Sequence, residues 1–462
     1  MSVLPVFAKP VAGNTTLFDN KKVATLLMQN KTSTYRFSDA HGAVTLLVTL
    51  LFTLLYIPSL AINTKTATAN GNWSNGAIWS PAGVPSDTDN VIINSGLTVT
   101  VDGAYTCRDL DIGHNSSSNS TLKIITAGNS LTVTGDLDFN AFNRGATYII
   151  DAGPGTFNFN GTFSNWSTSG TNKFQIGTGA INFAAAVSIT DPSHDIVFTG
   201  AGAVTFNSNF TDAENGVTYY TGCSLNFYGN YTVSTNAVDW TNKGTANFYG
   251  TGSISPNKNI KMNTVNIMSS ANTTLAASGS GALTVEGSLT VNSSATFTMN
   301  DNFQLNGNFT NNGTLTAGSV TLTMKGSGTT QVIGGSSALT LPTLQIGSGS
   351  GADINVVISQ NTTAAALTFS AGDNNRTVTI SSGKTLTVSG NATIAQPTRD
   401  NKEAIISVGS GTLTVNGNLV FSGSSSSIKR VAKIGVTSGT FILAGSITCM
   451  SNSAVATEVI SV

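Results

Sequence analysis

Residues able to do chemistry are sparse in this chain. The densest group is Arg108, Asp109 and Asp111, with Asp136 and Asp138 repeating the carboxylate spacing. Side chains two apart share one face of a strand. Two carboxylates beside a cation can cleave a glycosidic bond, one giving a proton while the other attacks or activates water. The same spacing also describes an ordinary exposed pair next to a turn. Three histidines, His41, His114 and His194, lie far apart; His114 falls in a Ser/Asn-rich loop and His194 in the turn Asp191–Asp195. No Cys/His cluster has zinc-ligand spacing, and no Gly-x-Ser-x-Gly elbow sits between a strand and a helix. The residue pattern therefore assigns no catalytic residue, no metal site and no cofactor.

Two further features point to surface contact. Tyr228 and Tyr249 each precede a glycine at the same position of a repeated cassette, so they point outward in register. Such a pair is a platform for a sugar ring, or simply two rings packed on each other. Thr-x-Thr recurs at Thr98, Thr132, Thr296, Thr321, Thr377, Thr385 and Thr412. Flat threonine arrays bind ice, but these pairs are irregularly spaced, some are expected to switch between inside and outside, and threonine is a good strand residue.

The element that must position these residues is the cassette itself. It reads Leu131-Thr132-Val133-Thr134-Gly135-Asp136-Leu137, returns as Leu283 to Leu289 and Leu413 to Leu419, and has looser copies elsewhere. Alternation puts Leu131 and Val133 inside and Thr132 outside, with Gly135 read as a conformationally permissive corner. Asn158, Asn226, Asn247, Asn416 and Asn418 read as turn residues. Phe157, Phe159, Phe206, Phe227, Phe248, Phe297 and Phe303 fall at apolar positions and predict a stacked core column. A step of about 20 residues is too short for a propeller blade and suits one coil of a parallel β-solenoid. Roughly 18 coils at the strand spacing predict a rod of about 85 Å.

Composition agrees. Only 9% of residues are charged against 40% hydrophobic, and the net charge is −1. That fills a core, leaves Ser, Thr, Asn and Gly to make the surface, and excludes a nucleic-acid partner held by phosphate contacts. Residues 43–57 form an uncharged apolar run, preceded by Lys31 and Arg36 and followed by Ser59-Leu60-Ala61. This is the pattern of a secretory signal peptide; an uncleaved anchor is the alternative, and the only membrane contact foreseen is through this leader. Met28 offers a second start that would give the leader a more usual length. Cys107, Cys223 and Cys449 make no disulfide framework and read as small buried hydrophobes.

Residues 71–113 carry Trp73, Trp79, Gly83-Val84-Pro85, Asp89, Val91-Ile92-Ile93, Gly96, Val99, Val101, Leu110 and Ile112-Gly113. This frame resembles the opening segment of exported Bacteroidetes repeat proteins that lead into β-solenoid, adhesin-like regions. More loosely, it is similar to the extracellular eight-glycine domain of animal cell-surface proteins. The resemblance implies export and a solenoid, and its long relatives imply that the natural C-terminal end is missing here. Physically, Trp73, Trp79, Pro85, Asp89 and Gly96 suit a cap over the first coil, whose open edge would otherwise template aggregation. Asp87 and Asp89 satisfy turn backbone groups or, alternatively, ligate calcium.

The expected architecture is an all-β, single-chain, right-handed parallel β-helix with an N-terminal cap: leader 1–61, cap 62–113, coils 114–462. The expected function is that of a secreted or cell-surface, adhesin-like rod presenting Ser, Thr and Asn to glycans, cells or matrix, with no catalytic activity assigned. The alternatives are a β-helix polysaccharide lyase or glycoside hydrolase, and an ice-binding face.

Overall fold

The computed structural model describes residues 63–461, apart from 115–117, 140–145, 165–169, 190–194, 213–218, 235–237, 240–243, 278–280, 327, 349–350, 424–428 and 451–456. The leader with its apolar run and the turn containing His194 lie outside the described residues. No described helix is long and apolar enough to cross a membrane. The chain divides into residues 1–61 and a second unit, Ile62–Val462, which holds all the described residues.

Period-2 patterning makes the strands. Thr156–Phe159, Ala180–Phe183 and Ala203–Phe206 each alternate half-exposed and buried residues, as strands with one wet face must. Successive turns of chain place these strands side by side in parallel, Phe157 beside Ile181 and Ile181 beside Val204. The fold is an all-β solenoid. A single 3-10 turn, Gly76–Ile78, is the only helical element among the described residues.

The longest sheet has 16 strands, from Ala104–Cys107 to Thr457–Ser461. At the spacing of neighbouring strands this stack is on the order of 70 Å long, shorter than the rod predicted above. The coils are less uniform than the cassettes suggest. Ala246 pairs with Val265, nineteen residues on, whereas Val378 pairs with Ile406, twenty-eight residues on. The remaining sides are a 13-stranded sheet that ends at Thr314–Ala317, a 7-stranded sheet, and a second 13-stranded sheet serving the later coils. Where the first of these ends, the eight-residue strands Leu339–Ile346 and Thr362–Phe369 carry the coil onward.

The core is a stack of rings. Phe159, Phe183, Phe206, Phe227 and Phe248 follow one another with centroids 5.4, 5.4, 5.4 and 5.1 Å apart. All seven phenylalanines assigned to the interior from the sequence are buried.

Two readings of the cassette change. Gly135 and its counterparts Gly161, Gly287, Gly307 and Gly417 are absent from the positive-φ residues, so conformational permissiveness is not their reason. A Cβ on Gly161 would lie 2.1 Å from the Gly135 carbonyl oxygen, and one on Gly307 would lie 2.0 Å from that of Gly287. Backbone lies on backbone at these corners, and glycine is required by close approach. Gly161→Ala is therefore expected to lower stability by about 1–3 kcal/mol, read from thermal melting; an unchanged melting temperature would refute the close-approach account. Likewise, Asn158, Asn226 and Asn247 sit inside strands rather than in turns. Asn416 and Asn418 do lie in a turn.

At the N-terminal end, Trp79–Ser80 pairs antiparallel with Thr66–Ala67, on the edge opposite the parallel strand Asn90–Asn94. Trp73 is fully buried, 5.1 Å from the Trp79 ring and 6.0 Å from that of Tyr105. The Trp79 indole N–H donates to the Trp73 carbonyl at 3.0 Å. Pro85 is buried, and Gly96 takes φ +86° in the turn before Thr98–Val101. Asp89 is buried, and its Oδ2 accepts from the Ser86 amide at 2.8 Å and the Ser86 hydroxyl at 2.9 Å, a turn role. Cys107 and Cys223 are buried, but Cys449 is exposed, against expectation. Burial pushes the Cys107 thiol well above its ordinary pKa, helped by the nearby anions Asp109 and Asp89.

Candidate functional site

The acidic residues scattered along the sequence meet on one side of the rod. Leu110–His114 and Leu137–Phe139 are adjacent parallel strands, and Asp111 stands directly beside Asp138. A depression of about 210 Å³ is lined by Asp109, Asp111, Asp136 and Asp138 together with Thr64 and Asn90. Asp109 is not on the strand face with Asp111, because the strand begins at Leu110. It occupies the preceding turn, and its carboxylate takes two hydrogen bonds from the Arg108 guanidinium at 2.8 and 3.0 Å and one from the Asp136 amide at 3.0 Å. Asp109 therefore ties neighbouring coils together.

His114 ends the strand instead of lying in a loop, and its Nδ1 stands 3.2 Å from Asp111 Oδ2. A register shift brings it there: Ile93 pairs with Ile112 but Asn94 pairs with His114, and Gly113, at φ +94°, is the extra residue. Asp111 and Asp138 are in register on adjacent strands, about one strand spacing apart at the backbone.

The tyrosine pair is a different kind of surface. The Tyr228 and Tyr249 rings are 5.0 Å apart and 9° from parallel, and Tyr228 is 44% exposed. Both follow strands of the longest sheet, one residue after the core phenylalanines Phe227 and Phe248. Two positions earlier, Asn226 and Asn247 belong to a continuous outward column running in register from Thr106 to Thr310, made of Thr and Asn alone. Its amides bond coil to coil. Asn182 donates to Asn158 at 2.9 Å, Asn226 to Thr205 at 3.3 Å, Asn247 to Asn226 at 3.0 Å and Asn266 to Asn247 at 2.9 Å. Such ladders hold each amide at a fixed orientation. A rigid row of amides and hydroxyls beside an aromatic face suits a sugar: the hydroxyls meet the amides and the ring meets the tyrosine.

Most of the threonine pairs keep both side chains outward, but Thr321 is half-exposed while Thr323 is buried. Thr296 and Thr298 stand beside Thr314 and Thr316, and Thr385 and Thr387 beside Thr412 and Thr414, with outward, partly exposed side chains. Each of these all-threonine blocks is two coils deep. On one side Asn272 replaces Thr, and on the other Ile442 does.

Several polar residues that face inward carry no motif. Arg376 is fully buried in the strand Arg376–Ile380, at a position that alternation gives to the core. Burial pushes its guanidinium pKa down, and the nearby Asp373 opposes this. Gly347, at φ +86°, leaves the space: a Cβ there would lie 2.6 Å from Arg376 Nε. Gln331 is also fully buried and donates to the carbonyls of Leu305 at 3.0 Å and Gly307 at 3.1 Å. The available signal is a polar residue interrupting the inward phase of a strand, as in Arg376-x-Val378-x-Ile380. On the outside, Asp353 takes hydrogen bonds from the Asn375 amide, the Asn375 side chain and Lys402, and these hold its carboxyl below the ordinary range.

No family model matches the chain, and no curated protein or solved structure is significantly similar to it.

Proposed function

We propose that this protein is an exported, adhesin-like rod whose longest sheet contacts neutral glycans. The observation that carries the reading is the parallel Tyr228–Tyr249 stack, open to solvent beside the hydrogen-bonded Asn226–Asn247 ladder. The column is uncharged, so its affinity comes from ring stacking and many hydroxyl contacts repeated along the rod, a multivalent mode. The apolar run 43–57 and the resemblance of residues 71–113 to exported repeat proteins support export to the cell surface. The antiparallel strand and buried Trp73 at the first coils support a capping role for residues 62–113.

A glycan array probed with the full chain tests the proposal. Replacing both Tyr228 and Tyr249 by Ala is expected to weaken binding about tenfold, from loss of roughly 1–1.5 kcal/mol of aromatic contact, with little change in melting temperature. Binding unaffected by the double substitution would remove the platform from the account.

A second reading rests on the register of Asp111 and Asp138 in the acidic depression: a glycoside-cleaving pair on the neighbouring side. Polysaccharide depolymerisation by the full chain, abolished by Asp111→Asn and by Asp138→Asn, would establish it and displace a purely adhesive role. Asp109→Asn, which removes a tie between coils, would lower stability instead.

A further inference from the structure

We propose that Tyr228 and Tyr249 form an oxidative crosslinking site, at which a one-electron oxidant joins the two phenol rings as dityrosine and staples consecutive coils. The inference goes beyond glycan contact and does not depend on it. The rings lie 5.0 Å apart and 9° from parallel. The ladder that aligns Phe227 with Phe248 continues one residue past both strands. The Tyr228 amide donates to the Phe206 carbonyl and the Tyr249 amide to the Phe227 carbonyl, each at 2.9 Å. Identical side chains in register on parallel strands stack like over like, and here that brings two phenols together. The column offers no third. Asn207 precedes the pair and Met268 follows it, their amides bonded to the Phe183 carbonyl at 2.9 Å and the Phe248 carbonyl at 2.8 Å. Elsewhere, Tyr148 and Tyr231 are fully buried, and Tyr105 stacks on Trp73.

The oxidant is hydrogen peroxide acting through a haem peroxidase. Each phenol gives up one electron and its hydroxyl proton and becomes a phenoxyl radical, whose unpaired electron is shared with the ring carbons ortho to oxygen. The two radicals pair these electrons in one carbon–carbon bond between ortho carbons. Each joined carbon then loses its hydrogen as a proton while the oxygen regains one, which restores both phenols. In sum, two phenols and one peroxide give dityrosine and two waters. The rings must turn from face-to-face stacking to the edge contact that this bond needs. Both tyrosines lie one residue beyond their strands, at a corner, and Tyr228 is 44% exposed, which leaves room for that turn. Holding two reactants side by side converts a bimolecular step into an intramolecular one, so the bond forms within a chain in preference to between chains.

Treatment of the full chain with peroxidase and hydrogen peroxide tests this, read by dityrosine fluorescence, denaturing electrophoresis and mass spectrometry of the digest. The expected product migrates as a monomer and yields a joined pair of peptides, bearing Tyr228 and Tyr249, lighter than their sum by two hydrogens. Tyr228→Phe and Tyr249→Phe keep the stacked rings but lack the hydroxyl from which the radical forms. Each is expected to abolish this product with the melting temperature unchanged. Both variants retain the ring faces on which a sugar would stack, so loss of crosslinking is separable from loss of glycan contact. Absence of intramolecular dityrosine in the unsubstituted chain, or dityrosine found only between chains or only at other tyrosines, would overturn the proposal.

Discussion

Phe206→Ala is expected to cost about 3–5 kcal/mol, the usual loss for a buried phenylalanine whose site cannot collapse. Phe206 stacks on Phe183 and Phe227, each 5.4 Å away, lies 4.3 Å from Phe210, and meets Phe198 edge-on at 6.1 Å. The neighbouring coils are fixed by their own ladders, so they relax little into the space. In a solenoid each coil is stabilised by its neighbours, so a cavity in the middle of the stack also weakens the coupling between the two halves. Urea unfolding should then show a lower midpoint and a shallower slope, as the halves begin to unfold separately. A loss below about 1 kcal/mol with an unchanged slope would contradict both the stacked core and its nearest-neighbour character.

The second large effect concerns the buried cation. Asp373→Asn removes the nearby anion that opposes the desolvation of Arg376, and leaving a buried cation with less compensation is expected to cost about 1–3 kcal/mol. The sign reverses when both charges go. Adding Arg376→Met to Asp373→Asn is expected to recover most of the loss, because an apolar side chain of similar length suits an inward position between Ile354 and Ala404. Urea denaturation of the single and double variants measures the coupling. If Arg376→Met alone were as damaging as Asp373→Asn and the double variant worse than either, Arg376 would be a bonding hub rather than a desolvated charge.

Both predictions use side chains that the sequence presents very differently. Phe206 is legible: it sits at the inward phase of a strand in a repeated cassette, and period-2 alternation sends such residues to the core whichever coil they occupy. Arg376 is legible only as an exception to that alternation. What Arg376 meets inside depends on Gly347, twenty-nine residues earlier in the chain.

The candidate sites divide in the same way. That Tyr228 and Tyr249 stack follows from equal spacing, because the two cassettes lie in consecutive coils of one sheet. The acidic pairs gave no such clue. Asp111 and Asp138 became neighbours through a coil of twenty-seven residues, longer than the cassette step, and Asp109 left the strand for a turn.

The cassette shows the limit most plainly. The same Leu-Thr-Val-x-Gly-x-Leu runs from the longest sheet to a side sheet at Leu131–Leu137, and from a side sheet into the longest sheet at Leu283–Leu289. Locally it dictates two short strands joined by a corner, since apolar alternation and a glycine without a Cβ are enough for that. Which side of the rod each strand joins is set by how many residues the intervening turns contain and by what the preceding coil offers as a hydrogen-bonding edge. Composition and alternation alone therefore determined an all-β solenoid with an apolar interior and a sparsely charged exterior rich in Thr and Asn. Only the stacking of coils decided which residues share a face, because side-by-side neighbours in the parallel ladders are eighteen to twenty-eight residues apart and that interval is not constant.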